Sequence, residues 1–255
     1  MTGVERRQAI AAILKKRSSI RVSEMADRLD VSEVTLRKDL AVLEEMGLLQ
    51  RTHGGAVLAE QAEENAVLSA RREVRAESKV AIARAAQRLV SHGETILIDS
   101  GSTCAALATA VAEMDLRVVT NSLDALIILA GRPGIALHAT GGSYRESGGS
   151  FIGPDAEEVI SRMQFDHAFI GATGVSEDGR FSSQNSIEAQ FKREAIAAAR
   201  NVVILADADK IGKHAFSVFA TLEEVDILVT ESESPLLSVF REKGLDVIIA
   251  EDQAL

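Results

Sequence analysis

The chain has 255 residues, more than one average domain, and 46% hydrophobic residues are ample for a buried core. Its single cysteine, Cys104, excludes an internal disulfide framework, and no apolar run is long enough for a membrane span or a signal peptide, so a cytoplasmic protein is expected. The net charge of −10 is unevenly placed: residues 1–58 hold ten Lys/Arg against eight Asp/Glu, net +2, and the remainder nets −12.

A mildly basic head on an acidic body suits two different partners, because phosphate attraction is local and screened beyond roughly 10 Å at moderate salt. In chain order, Val4 to Arg17 carries Val4, Ile10, Ile13 and Leu14 on one face and predicts a first helix. Val22 to Leu29 predicts a second, with Ser23 as its cap and Met25, Ala26 and Leu29 facing in. A third follows in Val31-Ser-Glu-Val-Thr-Leu-Arg-Lys-Asp-Leu40 and on to Gly47. Ser32 is a good N-cap, Glu33 suits the positive end of the helix dipole, and Gly47 suits a left-handed C-cap. Leu36, Leu40 and Leu43 form one apolar stripe, while Thr35, Arg37 and Lys38 project beside Ser32 from the first turns. Alone, this helix is either the second helix of a helix-turn-helix or a surface helix with two solvated cations. The context favours the former: Leu48 to Val57 reads as a hairpin turning at Gly54 and Gly55, and three helices with a hairpin make a winged helix. The expected DNA contacts are Ser32, Thr35, Arg37 and Lys38 at the major groove, with Arg51 and His53 on backbone or minor groove.

Residues 59–77 are polar, helix-prone and free of Pro and Gly, which predicts a helical linker continuing into a helix over Ser78–Val90. From 78 to 255 short apolar runs alternate with helical segments. Thr95–Ile98, Arg117–Thr120, Ile135–His138, His167–Ile170, Val202–Leu205, Ile227–Thr230 and Val247–Ile249 are the expected strands. The expected helices are Ala105–Ala112, Leu123–Ala130, Ala156–Met163, Ile187–Arg200 and Pro235–Lys243. This pattern predicts an α/β domain, a mostly parallel, Rossmann-like sheet with helices on both faces.

Ligands bind such sheets beyond the carboxyl ends of the strands. After the first run comes Asp99-Ser100-Gly101-Ser102-Thr103, where Gly101 admits backbone amides to an anion and the hydroxyls add donors; an ordinary capped turn is the alternative. Asn121 and Ser122 follow the second run, Gly141, Gly142 and Arg145 the third, Gly171 and Gly174 the fourth, and Asp207, Lys210 and Lys213 the fifth. Arg145 is expected to grip a phosphate. Glu188 and Lys192, spaced i, i+4, are either a surface ion pair or ligand contacts. Five strand ends combining anion-friendly backbone with cations favour a small phosphorylated ligand.

Both halves resemble the DeoR family of bacterial transcriptional regulators. In the head the resemblance rests on Val31-Ser32, Thr35 to Leu40, Leu43-Glu44, Gly47 to Leu49, Arg51 and His53 to Ala56, with Leu36 and Lys38 as mild departures. In the body it rests on Asp99 to Thr103, Thr120 to Ser122, Gly141-Gly142 with Arg145, Asp166 with Gly171 and Gly174, Glu188 with Lys192, and Asp207 with Lys210 and Gly212. Cys104 departs from the usual threonine. The resemblance implies a sensor domain related in fold to ribose-5-phosphate isomerase, responding to sugar phosphates. It further implies a repressor of a carbohydrate-metabolism operon that binds double-stranded operator DNA as a homodimer or homotetramer. The rival reading is a phosphosugar isomerase-type enzyme with an appended DNA-binding domain. Against it, Ile170, Thr173 and Gly174 stand where such isomerases carry three carboxylates. No cofactor is expected, and the five scattered histidines give no metal-ligand spacing.

Overall fold

The computed structural model describes residues 2–17, 19–45, 49–52, 55–58 and 75–250. The expectations placed on Gly47, His53, Gly54 and the linker through residue 74 lie outside the described residues. The chain divides into two compact units, residues 1–71 and 72–255.

In the first unit, α1 (Gly3–Arg17), α2 (Val22–Leu29) and α3 (Glu33–Glu45) pack around Ile10, Leu14, Met25, Leu36, Leu40 and Leu43, the apolar stripes expected from the sequence. The buried carboxylate of Asp39 on α3 holds α1 through Arg6 Nε at 2.5 Å and Arg7 Nη1 at 3.2 Å. Asp30, with φ 52°, closes α2 in the left-handed conformation that Asp tolerates better than most side chains and so turns the chain into α3. Ser23 is not the α2 cap: the helix starts at Val22, Arg21 occupies the cap position, and Ser23 is exposed in the first turn. The wing also has one more strand than expected. β1 (Ser19–Arg21) pairs antiparallel with β3 (Gly55–Leu58), which pairs with β2 (Leu49–Thr52), giving the order β1-β3-β2.

The second unit is built on seven parallel strands in the order β15-β14-β12-β9-β4-β5-β6: β4 (Thr95–Ile98), β5 (Leu116–Thr120), β6 (Ile135–Ala139), β9 (Phe165–Gly171), β12 (Ala199–Leu205), β14 (Ile227–Thr230) and β15 (Asp246–Ile249). Each contains one of the seven expected runs. Successive strand residues alternate between two layers, Ile96 and Ile98 against Leu97, and Val203 and Leu205 against Val202 and Ile204. One layer packs on α4 (Ala76–Gln87), α5 (Ser102–Ala110) and α6 (Leu123–Leu129), the other on α7 (Pro154–Ser161), α8 (Ser186–Ala197) and α9 (Pro235–Glu242). Helix α4 does not continue out of the linker: Arg75 adopts φ 54°, ψ 44°, which no right-handed helix can run through, and the helix begins at Ala76. Likewise α8 stops at Ala197, because Ala199 and Arg200 already belong to β12.

Smaller strands sit over the carboxyl edge. A hairpin, β7 (Ser143–Arg145) and β8 (Ser150–Ile152), follows β6, and β10 (Gly174–Val175), β11 (Phe181–Ser183) and β13 (Ser217–Ala220) form a separate antiparallel sheet. The chain leaves β4 toward β5 and β6 on one side, and leaves β9 toward β12, β14 and β15 on the other. The carboxyl ends of β4 and β9 therefore flank a topological switch point, where sheets of this kind form a crevice.

Candidate functional site

In the first unit the start of α3 carries the expected polar group. Ser32 Oγ accepts from the Thr35 amide at 3.2 Å and lies 2.9 Å from the Thr35 hydroxyl, so it caps the helix and orients Thr35. Arg37 Nη2 pairs with Glu33 at 2.8 Å with both side chains largely exposed, a pairing worth a few tenths of a kcal/mol that leaves the guanidinium open to exchange partners. Lys38 is exposed on the same helix, and Arg51 lies on β2.

In the second unit the crevice is centred on Asp99, which follows β4 and is 1% exposed. Its Oδ2 accepts from Lys192 Nζ at 2.8 Å and from the Gly171 amide, at the end of β9, at 3.2 Å. Lys192 also donates to the Gly171 carbonyl at 2.5 Å and lies 5.2 Å from the Phe219 ring centre. Burial alone would lower the Lys192 pKa, but the charges of Asp99 and Glu188 and the Asp99 hydrogen bond outweigh it and leave the ammonium above its ordinary value. Glu188 and Lys192 are thus not a surface ion pair. Glu188 turns to Arg145 Nη1 at 2.5 Å, and Lys192 turns to Asp99. That pairing revises the expectation for Arg145, whose charge is already matched by a carboxylate. Cys104, beneath the crevice, is fully buried; burial and then the Asp99 charge push its thiol pKa far up, which makes it inert packing.

Of the five expected strand ends, those of β9, β4 and β5 are adjacent. Neighbouring strands lie about 4.8 Å apart, so the ends of β6 and β12, four strand spacings from each other, are separated by roughly 19 Å, too far for one small ligand to bridge by itself. Gly141 and Gly142 are accordingly exposed at one flank, and Asp207 and Lys210 lie at the other. The β7–β8 hairpin returns the polar groups of the β6 side to the centre, since Ser150 bridges Ser122 and the Phe151 amide donates to the Asn121 carbonyl at 2.7 Å. Ser122 caps α6 by accepting from the Ala125 amide, and Asn121 is 1% exposed. At α5 no serine or threonine caps the helix: Gly101, with φ 107°, occupies the cap position and supplies no side-chain cap to the first amides. Ser100, Ser102 and Thr103 surround that helix start, half-buried.

Sequence reasoning missed Lys79. It is 6% exposed on α4 and lines, with Ser102, a cavity of about 510 Å³. Burial lowers its pKa, Asp207 partly offsets this, and Lys210 adds to it, so both flank residues lie within electrostatic reach. The signal was present in the sequence: Lys79, Ile82, Ala83 and Ala86 are the buried stripe of α4, a cation at a core position of a helix. Asp166, by contrast, starts β9 at the opposite edge of the sheet and accepts from the Thr95 amide, a structural duty. Among the described residues, no group of three or more His, Cys, Asp or Glu is placed to hold a metal, and no helix is long and apolar enough to cross a membrane.

With this geometry in place, comparison with known proteins adds the following. Residues 6–62 match the DeoR-like helix-turn-helix domain, and residues 74–232 match the DeoR C terminal sensor domain. An uncharacterized HTH-type transcriptional regulator of Bacillus subtilis, YulB, is 36% identical over 91% of this chain and 90% of its own length. The lactose phosphotransferase system repressor of Streptococcus mutans is 34% identical over 90% and 92%. Among solved structures, ribose 5-phosphate isomerase A of Methanocaldococcus jannaschii aligns over 52% of this chain and 53% of its own at 21% identity, with a TM-score of 0.39.

Proposed function

The chain belongs to the DeoR family of transcriptional regulators, and from that premise we propose that it represses a carbohydrate-metabolism operon and is controlled by a phosphorylated sugar bound at the carboxyl edge of β4, β9 and β5. The head would read DNA through Thr35, Arg37 and Lys38, with Ser32 holding the helix start and the wing residues Arg51 and His53 on the backbone or minor groove. One such head offers little contact area, so a homodimer or homotetramer reading repeated half-sites is part of the proposal. In the second unit the amides and hydroxyls of Ser100 to Thr103, together with Lys79 and Lys210, would receive the phosphate.

The observation that carries the sensor reading over the enzyme reading is the pairing of charges in the crevice. Isomerisation needs a carboxylate that can take a proton from carbon beside a cation that stabilises the enediolate. Here Asp99 is locked by Lys192 and Gly171, Glu188 is locked by Arg145, and Ile170 is packed in the core. At the switch point between β4 and β9 these pairings favour binding over turnover.

A route to the DNA-binding unit is supported at the start of α4. Arg75 pairs with Asp209 at 2.9 Å and Glu231 at 3.0 Å, and Glu231 in turn accepts from the Ala208 amide at 2.8 Å. The residue that precedes α4 is thereby tied to the turn 208–210 that carries Lys210. An effector drawing on Lys79 and Lys210 would bias that turn, provided it binds the two arrangements with different affinity. The test is a thermal-unfolding screen of sugar phosphates, each beside its unphosphorylated sugar. A ligand at 100 times its Kd stabilises by about 2.7 kcal/mol, a shift of roughly 5–11 °C for a domain this size. The same compound should change operator binding in an anisotropy titration, and no sugar phosphate should be isomerised. Turnover abolished by Lys192→Ala would establish the enzyme instead.

A further inference from the structure

One face of the second unit carries an apolar knob, a cavity and two opposite charges within a single patch. The cavity, of about 560 Å³, is framed by the β7–β8 hairpin, the start of α7 and the outer face of α8, with Ile152, Pro154 and Ile187 in its walls beside Glu157 and Arg193. Arg193 donates to the Val218 carbonyl at 2.7 Å, so the segment 216–218 runs along the Arg193 side of the cavity. From that segment Phe216 and Val218, two residues apart and hence on one side of an extended chain, project outward, 81% and 40% exposed. Ile187, at the cavity rim, is 49% exposed. Single apolar side chains on a surface are ordinary, but three of them around an apolar cavity form the kind of patch that binds another protein.

The charges specify the partner. Arg193 is held by neutral groups, the Val218 carbonyl and Gln190 Oε1 at 2.9 Å, and Glu157 makes no ion pair among the described residues. Arg145 also lines the cavity, but Glu188 matches it. The patch therefore presents one unmatched cation and one unmatched carboxylate, a pair that a uniformly acidic or uniformly basic partner would leave half satisfied. A second copy of the same patch satisfies both. In a two-fold contact residue i meets residue j and j meets i, so each Glu157 can face Arg193 of the other copy while each Phe216 enters the other copy's cavity. A cavity of about 150 Å³ already accepts a benzene ring, so there is room for the phenyl group. Aromatic side chains and arginine are also the residues enriched at such contacts. Resting on the homo-oligomer proposed above, we infer that two copies of the chain pair through their second units across this patch, with Phe216 as the anchor and Glu157 and Arg193 as reciprocal ion pairs.

The experiment is sedimentation equilibrium of the full chain and its variants without DNA. Wild type is expected to self-associate. Glu157→Arg sets two cations against each other across the contact and Arg193→Glu sets two carboxylates, so each should weaken one step of assembly at least tenfold. An equimolar mixture of these two variants should associate like wild type, because a mixed pair again joins opposite charges at both positions; a variant that had merely misfolded would not recover. Phe216→Ser, at a position already largely exposed, should weaken the same step at least tenfold without disturbing the fold. A monomeric wild type overturns both the inference and the oligomer it rests on. An oligomer that all three variants leave at wild-type affinity, or charge variants whose mixture stays dissociated, overturns the inference and leaves the oligomer reading standing.

Discussion

The Asp99–Lys192 pair offers the most direct test of how the crevice is built. Lys192→Met keeps the length of the side chain and its packing near Phe219 but removes the ammonium. Among the described residues, Asp99, 1% exposed, then keeps only the Gly171 amide at 3.2 Å and the Ser100 hydroxyl at 3.4 Å. Breaking one side of a buried pair costs about 3–5 kcal/mol, because a charge is left without its partner. At roughly 2–4 °C per kcal/mol for a domain this size, the midpoint should fall by roughly 6–20 °C. Adding Asp99→Asn removes the stranded charge, and most of the loss should return, since replacing both members of a buried pair is often close to neutral. Calorimetry is the appropriate assay, as a chain with no tryptophan and one tyrosine has little intrinsic fluorescence to follow. The pH dependence carries a sign. Lys192 is raised above the ordinary value of 10.5 in the folded state, so its contribution is fully present below that value and is lost only as the pH rises through the higher folded one. The gap between wild type and Lys192→Met should therefore be flat through neutral pH. A midpoint drop under about 2 °C, or a double variant as unstable as the single one, would refute the view that these two charges hold β4, β9 and α8 together.

Three other outcomes are expected. Arg37→Ala should weaken operator binding by about 1–3 kcal/mol if the residue reads a base, measured by anisotropy; unchanged affinity removes it from the interface. Lys79→Met should weaken effector binding by about 1.5–3 kcal/mol, the range for a charge-assisted hydrogen bond. Because burial holds the Lys79 pKa below 10.5 in the free protein, affinity should start to fall with rising pH before an ordinary lysine would titrate. Full affinity in Lys79→Met, by titration calorimetry, would exclude it from the phosphate site. Arg75→Ala should leave effector affinity of the second unit intact while reducing the effector's influence on DNA binding, a coupling of about 1–3 kcal/mol in systems of this kind; an unchanged response would dissociate the Arg75 ion pairs from signalling.

How much of this was legible in the sequence depends on the range over which each feature is decided. The seven sheet strands were readable because each is a short apolar run ended by a polar turn, and burial on both faces makes such runs nearly continuous. The helical stripes of the head were readable for the same local reason, through Leu36, Leu40 and Leu43. Features missed were those that only tertiary pairing creates. β1, three residues long, becomes a strand because β3 lies beside it, and the β7–β8 hairpin is hidden in a loop whose Gly and Ser content reads as turn. Ser23 failed as a cap because a cap belongs to whichever residue the preceding strand delivers, and β1 delivers Arg21.

The site was legible as a set of strand ends and illegible as a set of partners. Spacing alone makes Glu188 and Lys192 look like mates, since i, i+4 on a helix is the usual arrangement of a surface pair. The fold separates them by offering each a more buried opposite charge: Asp99 from the switch point, and Arg145 from a hairpin more than forty residues away in sequence. The energetic ordering follows burial. An exposed pair is worth a few tenths of a kcal/mol, whereas a carboxylate that is 1% exposed cannot forgo its cation without a cost of several. Lys79 teaches the converse. A lysine on the apolar stripe of a helix is a local irregularity that sequence does display, and burying its charge is costly unless something compensates. Part of that compensation is the charge of Asp207, and a phosphate bound at the start of α5 would add to it.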